Sequence, residues 1–216
     1  AQQDRLINWV KTENKSLLFN AFWLEEGRYS NVAIALDPHG EMSLYKKRHL
    51  VPFGEFVPWG FRWFIDSMRI PMTDLASGET SALTMNFAGH TAAVNLCYEN
   101  LFGSEWIEAW GSASPELLIN LSNLKWFGPE KASAQHLQIS QMRALETARP
   151  VLSVTNSGST ALVNEHGQIV KSLATDIEAT LDVKVTTMKG EATPFVKWGN
   201  WPAVLLSILM LLGAFI

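Results

Sequence analysis

Short apolar runs bounded by tight-turn residues recur from Leu17 to Val185, and one long helical stretch interrupts them. A backbone that alternates in this way pairs its amides in sheets, and helices between strand groups must cover the sheet faces. Leu17 to Trp23 reads as a buried strand. Asn31 to Asp37 and Glu41 to Lys47 flank Pro38-His39-Gly40, a hairpin signal. Ser81 to Phe87 and Thr91 to Glu99 flank Ala88-Gly89-His90, a second one. Glu116 to Asn123 is a further buried strand. The clearest helix runs from Pro129 to Pro150, with Leu137, Met142 and Leu145 as its apolar stripe and Pro150 as its stop. Strands then follow over Val151 to Asn156, Thr160 to Gly167 and Gln168 to Ala174, and Ala179 to Val185 closes the domain. Leu6, Ile7 and Val10 give the start of the chain a helical stripe. The expected architecture is a layered α/β sandwich.

The 216 residues, 47% of them hydrophobic, suffice for one substantial domain with a core. A net charge of −4, spread along the chain, offers no clustered basic groove, so a nucleic-acid partner is not expected. The single cysteine, Cys97, excludes an internal disulfide framework and a cysteine-based zinc cluster. His39, His49, His90, His136 and His166 are dispersed without ligand spacing, so neither metal nor cofactor is expected. Nine tryptophans against three tyrosines suit a protein that works at an apolar boundary. The end of the chain agrees. Trp198 to Ile216 is a run of 19 uncharged residues. A bilayer core about 30 Å thick needs roughly 20 helical residues. The expected domains are therefore a folded unit over 1–197 and a transmembrane helix over 198–216; a buried C-terminal helix is the alternative.

Val57 to Gly78 lacks a clean period yet carries Trp59, Phe61, Trp63 and Phe64. So many aromatics argue against disorder, and a long loop of this kind reads as an apolar lid. Three places could do chemistry. Cys97 ends an apolar strand where polar residues begin, a position at which a rigid sheet presents a group to ligand. Lys47 ends another strand, before a stiff turn in which Glu55 sits among Phe53, Phe56 and Val57 and needs a partner. Trp126, between a buried strand and the main helix, is a candidate substrate wall or an aromatic plug. A solvated charge run remains the ordinary alternative for Lys46, Lys47 and Arg48, and an inert core position the alternative for Cys97.

Four runs taken together are distinctive: YKKRHLVPFGEFVP, LCYE, NLSNLKWFGPEK and MRALETARPVLSVTNSGSTALVNEHGQIV. In this order and spacing they resemble the carbon–nitrogen hydrolase (nitrilase) superfamily, and within it the bacterial apolipoprotein N-acyltransferases. The resemblance implies an αββα sandwich and a Glu–Lys–Cys triad. The lysine falls on Lys47, the nucleophile on Cys97 and a supporting glutamate on Glu55. Tyr98 and Glu99 match the residues after the nucleophile and, with Trp126, Trp59 and Phe61, are the expected substrate-binding residues. The family's general-base glutamate and membrane-embedded helices have no counterpart among these residues, so an isolated C-terminal fragment, inactive alone, is expected. Leu124-Lys125 stands where the family commonly has Asp-Ala. The implied reaction moves an acyl chain from a phospholipid, through a cysteine thioester, to the N-terminal amine of a diacylglyceryl-cysteine apolipoprotein. The implied partners are a phospholipid donor, an apolipoprotein acceptor and membrane lipid, at the periplasmic side of the bacterial inner membrane. A soluble amidase with the same triad is the alternative.

Overall fold

The computed structural model describes residues 2–67, 74–79, 83–111, 113–125, 131–175 and 177–213. Helix α1 (Gln2–Glu13) leads into a three-stranded antiparallel sheet of β1 (Leu17–Glu25), β2 (Arg28–Leu36) and β3 (Met42–Lys46), in that order. The short helix α2 (Arg62–Ser67) precedes a six-stranded sheet. Its strands are β4 (Thr84–Phe87), β5 (His90–Leu96), β6 (Leu117–Ser122), β7 (Val151–Thr155), β8 (Ala161–Val163) and β9 (Ile169–Ser172), side by side in chain order. A 3-10 turn (Cys97–Leu101) and α3 (Gly103–Ile107) follow β5, and α4 (Lys131–Thr147) lies between β6 and β7. The central strands β5, β6 and β7 are parallel, and the outer pairings are antiparallel. Every residue of β6 is buried, as expected of a parallel strand covered on both faces.

Three apolar clusters set the layers. Ala33, Ala35 and Tyr45 of the first sheet meet Met85, Val94, Leu96 and Ile119 of the second, face to face. The alternate residues of β2, Val32, Ile34 and Leu36, turn outward onto Val10 of α1. On the far side Ala93, Leu118 and Val151 pack against Trp106 and Ala144, from α3 and α4. The order helix, sheet, sheet, helix is the expected αββα sandwich, produced by the two-residue period of the strands.

Four sequence expectations need correction or limit. Helix α4 spans Lys131–Thr147, but Met142 and Leu145 are half exposed. Its buried face consists of Ser133, His136, Ser140, Arg143, Ala144 and Thr147. The helical period holds, yet mostly polar side chains carry it, because they make internal hydrogen bonds. Ala179 to Val185 forms no strand. That segment is held at single points instead, by Lys171 Nζ on the Asp182 carbonyl and by Val185 against the inter-sheet core. The apolar tail is not one helix from Trp198. Trp198 ends α5 (Pro194–Trp198), Gly199 at φ +55° breaks the chain direction, and α6 (Trp201–Gly213) follows. At 13 residues α6 is about 20 Å long, and no helix among the described residues is long and apolar enough to cross a membrane. Finally, Val57 to Gly78 contains α2, with Met68 to Thr73 outside the described residues.

Candidate active site

Lys47 follows β3 directly, and its amide bonds to the Asn31 carbonyl at 2.8 Å, so the neighbouring strand fixes its direction. The side chain is sealed from solvent, 1% exposed. A buried ammonium demands a counter-charge, and Glu55 supplies it: Nζ to Oε2 is 2.6 Å. The Val51 amide donates to the same carboxylate at 2.8 Å, and the Asn31 amide nitrogen donates to its other oxygen at 2.9 Å. Glu55 is thus held by β2, by its own turn and by Lys47. The Glu55 carbonyl also accepts from Leu75, and the Lys47 carbonyl accepts from Gly78. A Cβ on Gly78 would lie 2.3 Å from the Lys46 carbonyl oxygen, so only glycine lets the Val57–Gly78 segment return this close to β3.

Cys97 sits at the carboxyl end of parallel strand β5, half-buried, with φ at +51°. A left-handed non-glycine residue stores about 1–3 kcal/mol and marks a sharp exit from the strand. Its Sγ lies 3.9 Å from the Asn123 carbonyl. Burial pushes the thiol up; the Lys47 ammonium and the backbone of Asn123 and Tyr98 pull it down, and the Glu55 carboxylate pushes it up again. Lys47 and Glu55 therefore both act electrostatically on the Cys97 thiol, in opposite directions.

Glu99, expected to bind substrate, is 0% exposed and both of its oxygens are occupied. Oε1 accepts from the Tyr45 hydroxyl (2.9 Å), the Arg48 amide (2.7 Å) and the His49 amide (3.0 Å), and Oε2 from the Leu96 amide (2.7 Å). Burial pushes this carboxyl up, against those donors. Glu99 ties the turn after Lys47 to the turn after β5, so it positions the lysine and the cysteine relative to each other. Tyr98 packs edge-on against His49 and Phe102, whose rings stack at 3.8 Å. Of the aromatic candidates, Trp59 is 98% exposed and Phe61 packs edge-on against Phe53; Trp126 lies outside the described residues. A groove of about 590 Å³, lined in part by Arg48, His49, Phe56, Ser77 and Glu105, opens beside the Lys47 turn.

Asn31, Asn120 and His136 escaped the sequence reading. Asn120 lies in the middle of β6, a polar residue inside a fully buried strand, and that mismatch was the available signal. Its Nδ2 donates to Asn95 Oδ1 and, at 3.4 Å, to the Cys97 carbonyl. Among the described residues no group of three or more His, Cys, Asp or Glu is placed to hold a metal ion.

The αββα sandwich thus carries a cysteine at the end of a parallel strand and a buried Lys–Glu pair at the end of another strand. The carbon-nitrogen hydrolase family model matches residues 12–194, and the chain belongs to that family. Among curated relatives it is similar to the apolipoprotein N-acyltransferase of Ralstonia nicotianae, 42% identical over 210 residues, 95% of this chain and 40% of that protein. The apolipoprotein N-acyltransferase of Nitrosomonas europaea is 43% identical over 190 residues, 86% of this chain and 37% of that protein. The chain thus spans about two fifths of the length of these relatives. Among solved structures, the carbon-nitrogen hydrolase of Helicobacter pylori superposes with a TM-score of 0.64 at 13% identity, covering 82% of this chain and 64% of that one. An amidase from Nesterenkonia sp. gives 0.60 at 17% identity, covering 81% and 62%. These two likenesses establish the fold.

Proposed function

We propose that this chain carries the nucleophile and the lysine of an apolipoprotein N-acyltransferase. The observation that supports the reading most is the buried Lys47–Glu55 pair acting on the thiol of Cys97 at a strand end. Cys97 and Lys47 are the catalytic residues and Glu55 holds the lysine charged and aimed. The Cys97 sulfur attacks the carbonyl carbon of a phospholipid acyl ester. Its proton passes to a general base. The S–C bond forms, the ester C–O bond breaks, and a lysophospholipid alkoxide leaves and takes a proton. The Lys47 ammonium and the Tyr98 amide stabilise the oxyanion of the intermediate. The α-amine of a diacylglyceryl-cysteine then attacks the thioester, forms the amide and releases the thiol. No cofactor enters.

Both substrates are lipids, and the surface suits them. Trp59 and Trp63 are largely exposed on the Val57–Gly78 segment, which acts as the apolar lid over the lipid substrate, with Trp59 and Phe61 as its contacts to the acyl chain. In α6, Leu205, Leu206, Leu209 and Met210 are all exposed, an apolar face that water penalises. We place α6 in the lipid, as the embedded part of a membrane segment whose interface is marked by Trp198 and Trp201. The corresponding location is the periplasmic side of the inner membrane.

The test is incubation of the complete protein with phospholipid labelled in its acyl chain. A hydroxylamine-sensitive adduct on Cys97 is expected, discharged by a diacylglyceryl-cysteine peptide. An adduct that persists in Cys97→Ser, or ammonia release from simple amides without any lipid adduct, overturns the assignment.

A further inference from the structure

Cys97 and Tyr98 share one peptide plane, so whatever holds the Cys97 carbonyl also aims the Tyr98 N–H in the opposite direction. Two buried side chains hold that carbonyl. His136 Nε2 lies 3.3 Å from it and Asn120 Nδ2 lies 3.4 Å from it. A carbonyl oxygen only accepts, so Nε2 carries the hydrogen of this bond. Nδ1 has no partner among the described residues, and His136 is 6% exposed. A buried histidine with one nitrogen left unsatisfied pays for desolvation, and its single bond goes to the backbone of the nucleophile.

We propose that His136 is a positioning residue for the oxyanion site: with Asn120 it clamps the Cys97–Tyr98 peptide so that the Tyr98 amide points at the reacting carbonyl oxygen. The inference rests on the acyl-transfer reading of Cys97. Three features agree with it. The peptide needs a clamp, because Cys97 leaves the strand in the strained left-handed region. The clamp comes from two independent elements, β6 and α4, so a shift of either one would tilt the plane. Each element is itself anchored: Asn120 donates also to Asn95, and Ser140, one turn beyond His136, accepts from Asn100 at 2.9 Å. Donation to the carbonyl also polarises the peptide and strengthens its N–H as a donor. The device acts most on steps that develop an oxyanion, and once the thiol is ionised it acts on those steps alone.

That selectivity gives the test. In the complete protein, His136→Leu and His136→Gln are compared with wild type in two reactions of Cys97. Acylation by p-nitrophenyl butyrate and by phospholipid passes through an oxyanion; alkylation by iodoacetamide does not. Loss of one oxyanion donor costs about 100- to 1000-fold, and tilting it less, so His136→Leu should slow acylation about 10- to 100-fold. Alkylation, read at a pH high enough to ionise Cys97 in every variant, should change less than about threefold, and His136→Gln, whose carboxamide still donates, should recover most of the acylation rate. The effect should fall on kcat, with KM little changed. Equal losses in acylation and alkylation, or full acylation by His136→Leu, overturn the proposal. Acylation by the nitrophenyl ester without any phospholipid adduct would sink the lipid-donor reading and leave the clamp standing; no acylation of wild type by either ester overturns both.

Discussion

Replacing Glu55 by glutamine keeps the shape of the side chain and removes its charge. The consequence is set by Lys47, which is 1% exposed and has Glu55 as its ion-pair partner at 2.6 Å. At that separation and an effective dielectric near 20, the attraction is about 6 kcal/mol. Desolvation offsets part of it, and breaking a buried pair on one side leaves a net cost of about 3–5 kcal/mol. In a chain of this size that lowers the melting midpoint by roughly 6–20 °C. Circular dichroism in detergent reads the midpoint. Lys47→Met removes the other partner, and the double variant removes both charges together. It should therefore be more stable than Glu55→Gln alone, with a coupling of about 2–3 kcal/mol between the sites. The chemistry should move separately. Glu55 pushes the Cys97 thiol up, so Glu55→Gln should shift the midpoint of iodoacetamide alkylation to lower pH while Lys47→Met shifts it to higher pH. A Glu55→Gln cost below about 1 kcal/mol with additive variants would show that the pair is not sealed from water, and would refute the reasoning.

Alkylation of wild-type Cys97 should titrate above the ordinary cysteine range, because burial outweighs Lys47; a midpoint below that range contradicts this. Burial pushes His136 down, so its native form binds fewer protons than the unfolded chain once pH falls below the usual histidine value of about 6.5. Stability should then drop as pH falls through that window, and His136→Gln should flatten the drop in urea titrations at successive pH values. Glu99→Gln turns an amide donor toward backbone N–H groups that now donate to a carboxylate, and should cost about 3 kcal/mol or more in the same titrations. If the lid meets lipid as proposed, Trp59→Ala with Trp63→Ala should weaken binding to phospholipid vesicles about tenfold, read by co-sedimentation, since both indoles are exposed and carry large apolar area.

Much of the fold was readable in the chain. The hairpin across Pro38-His39-Gly40 and the run Leu117–Ser122 announce themselves by alternation and by continuous apolar character. The main helix was readable as a helix, yet its buried face was not. Periodicity reading counts apolar residues, and here the inward positions are Ser133, His136, Ser140 and Arg143. For Ser133, His136 and Ser140 the cost of burial is met by Ser159, Cys97 and Asn100, far away in sequence, which no local pattern displays. Ala179 to Val185 failed for the opposite reason: its alternation suits a strand, but no neighbouring edge pairs with it. Lys47, Glu55 and Cys97 were named from their settings, whereas Asn31, Asn120 and His136 looked like ordinary polar residues until folding brought them to a carboxylate and to a strained carbonyl.

By itself, the order of residues determined which groups were available: one sulfur, a lysine at a strand end, a glutamate in an apolar turn, and an uncharged tail. Those are local properties of composition and period. Tertiary structure alone decided that Glu55 faces Lys47 across a turn, that Glu99 is sealed from solvent, and that a helix laid over the sheet brings His136 beneath Cys97. Distances between residues tens of positions apart depend on how sheets stack and where strand ends fall, and packing of the whole chain sets them.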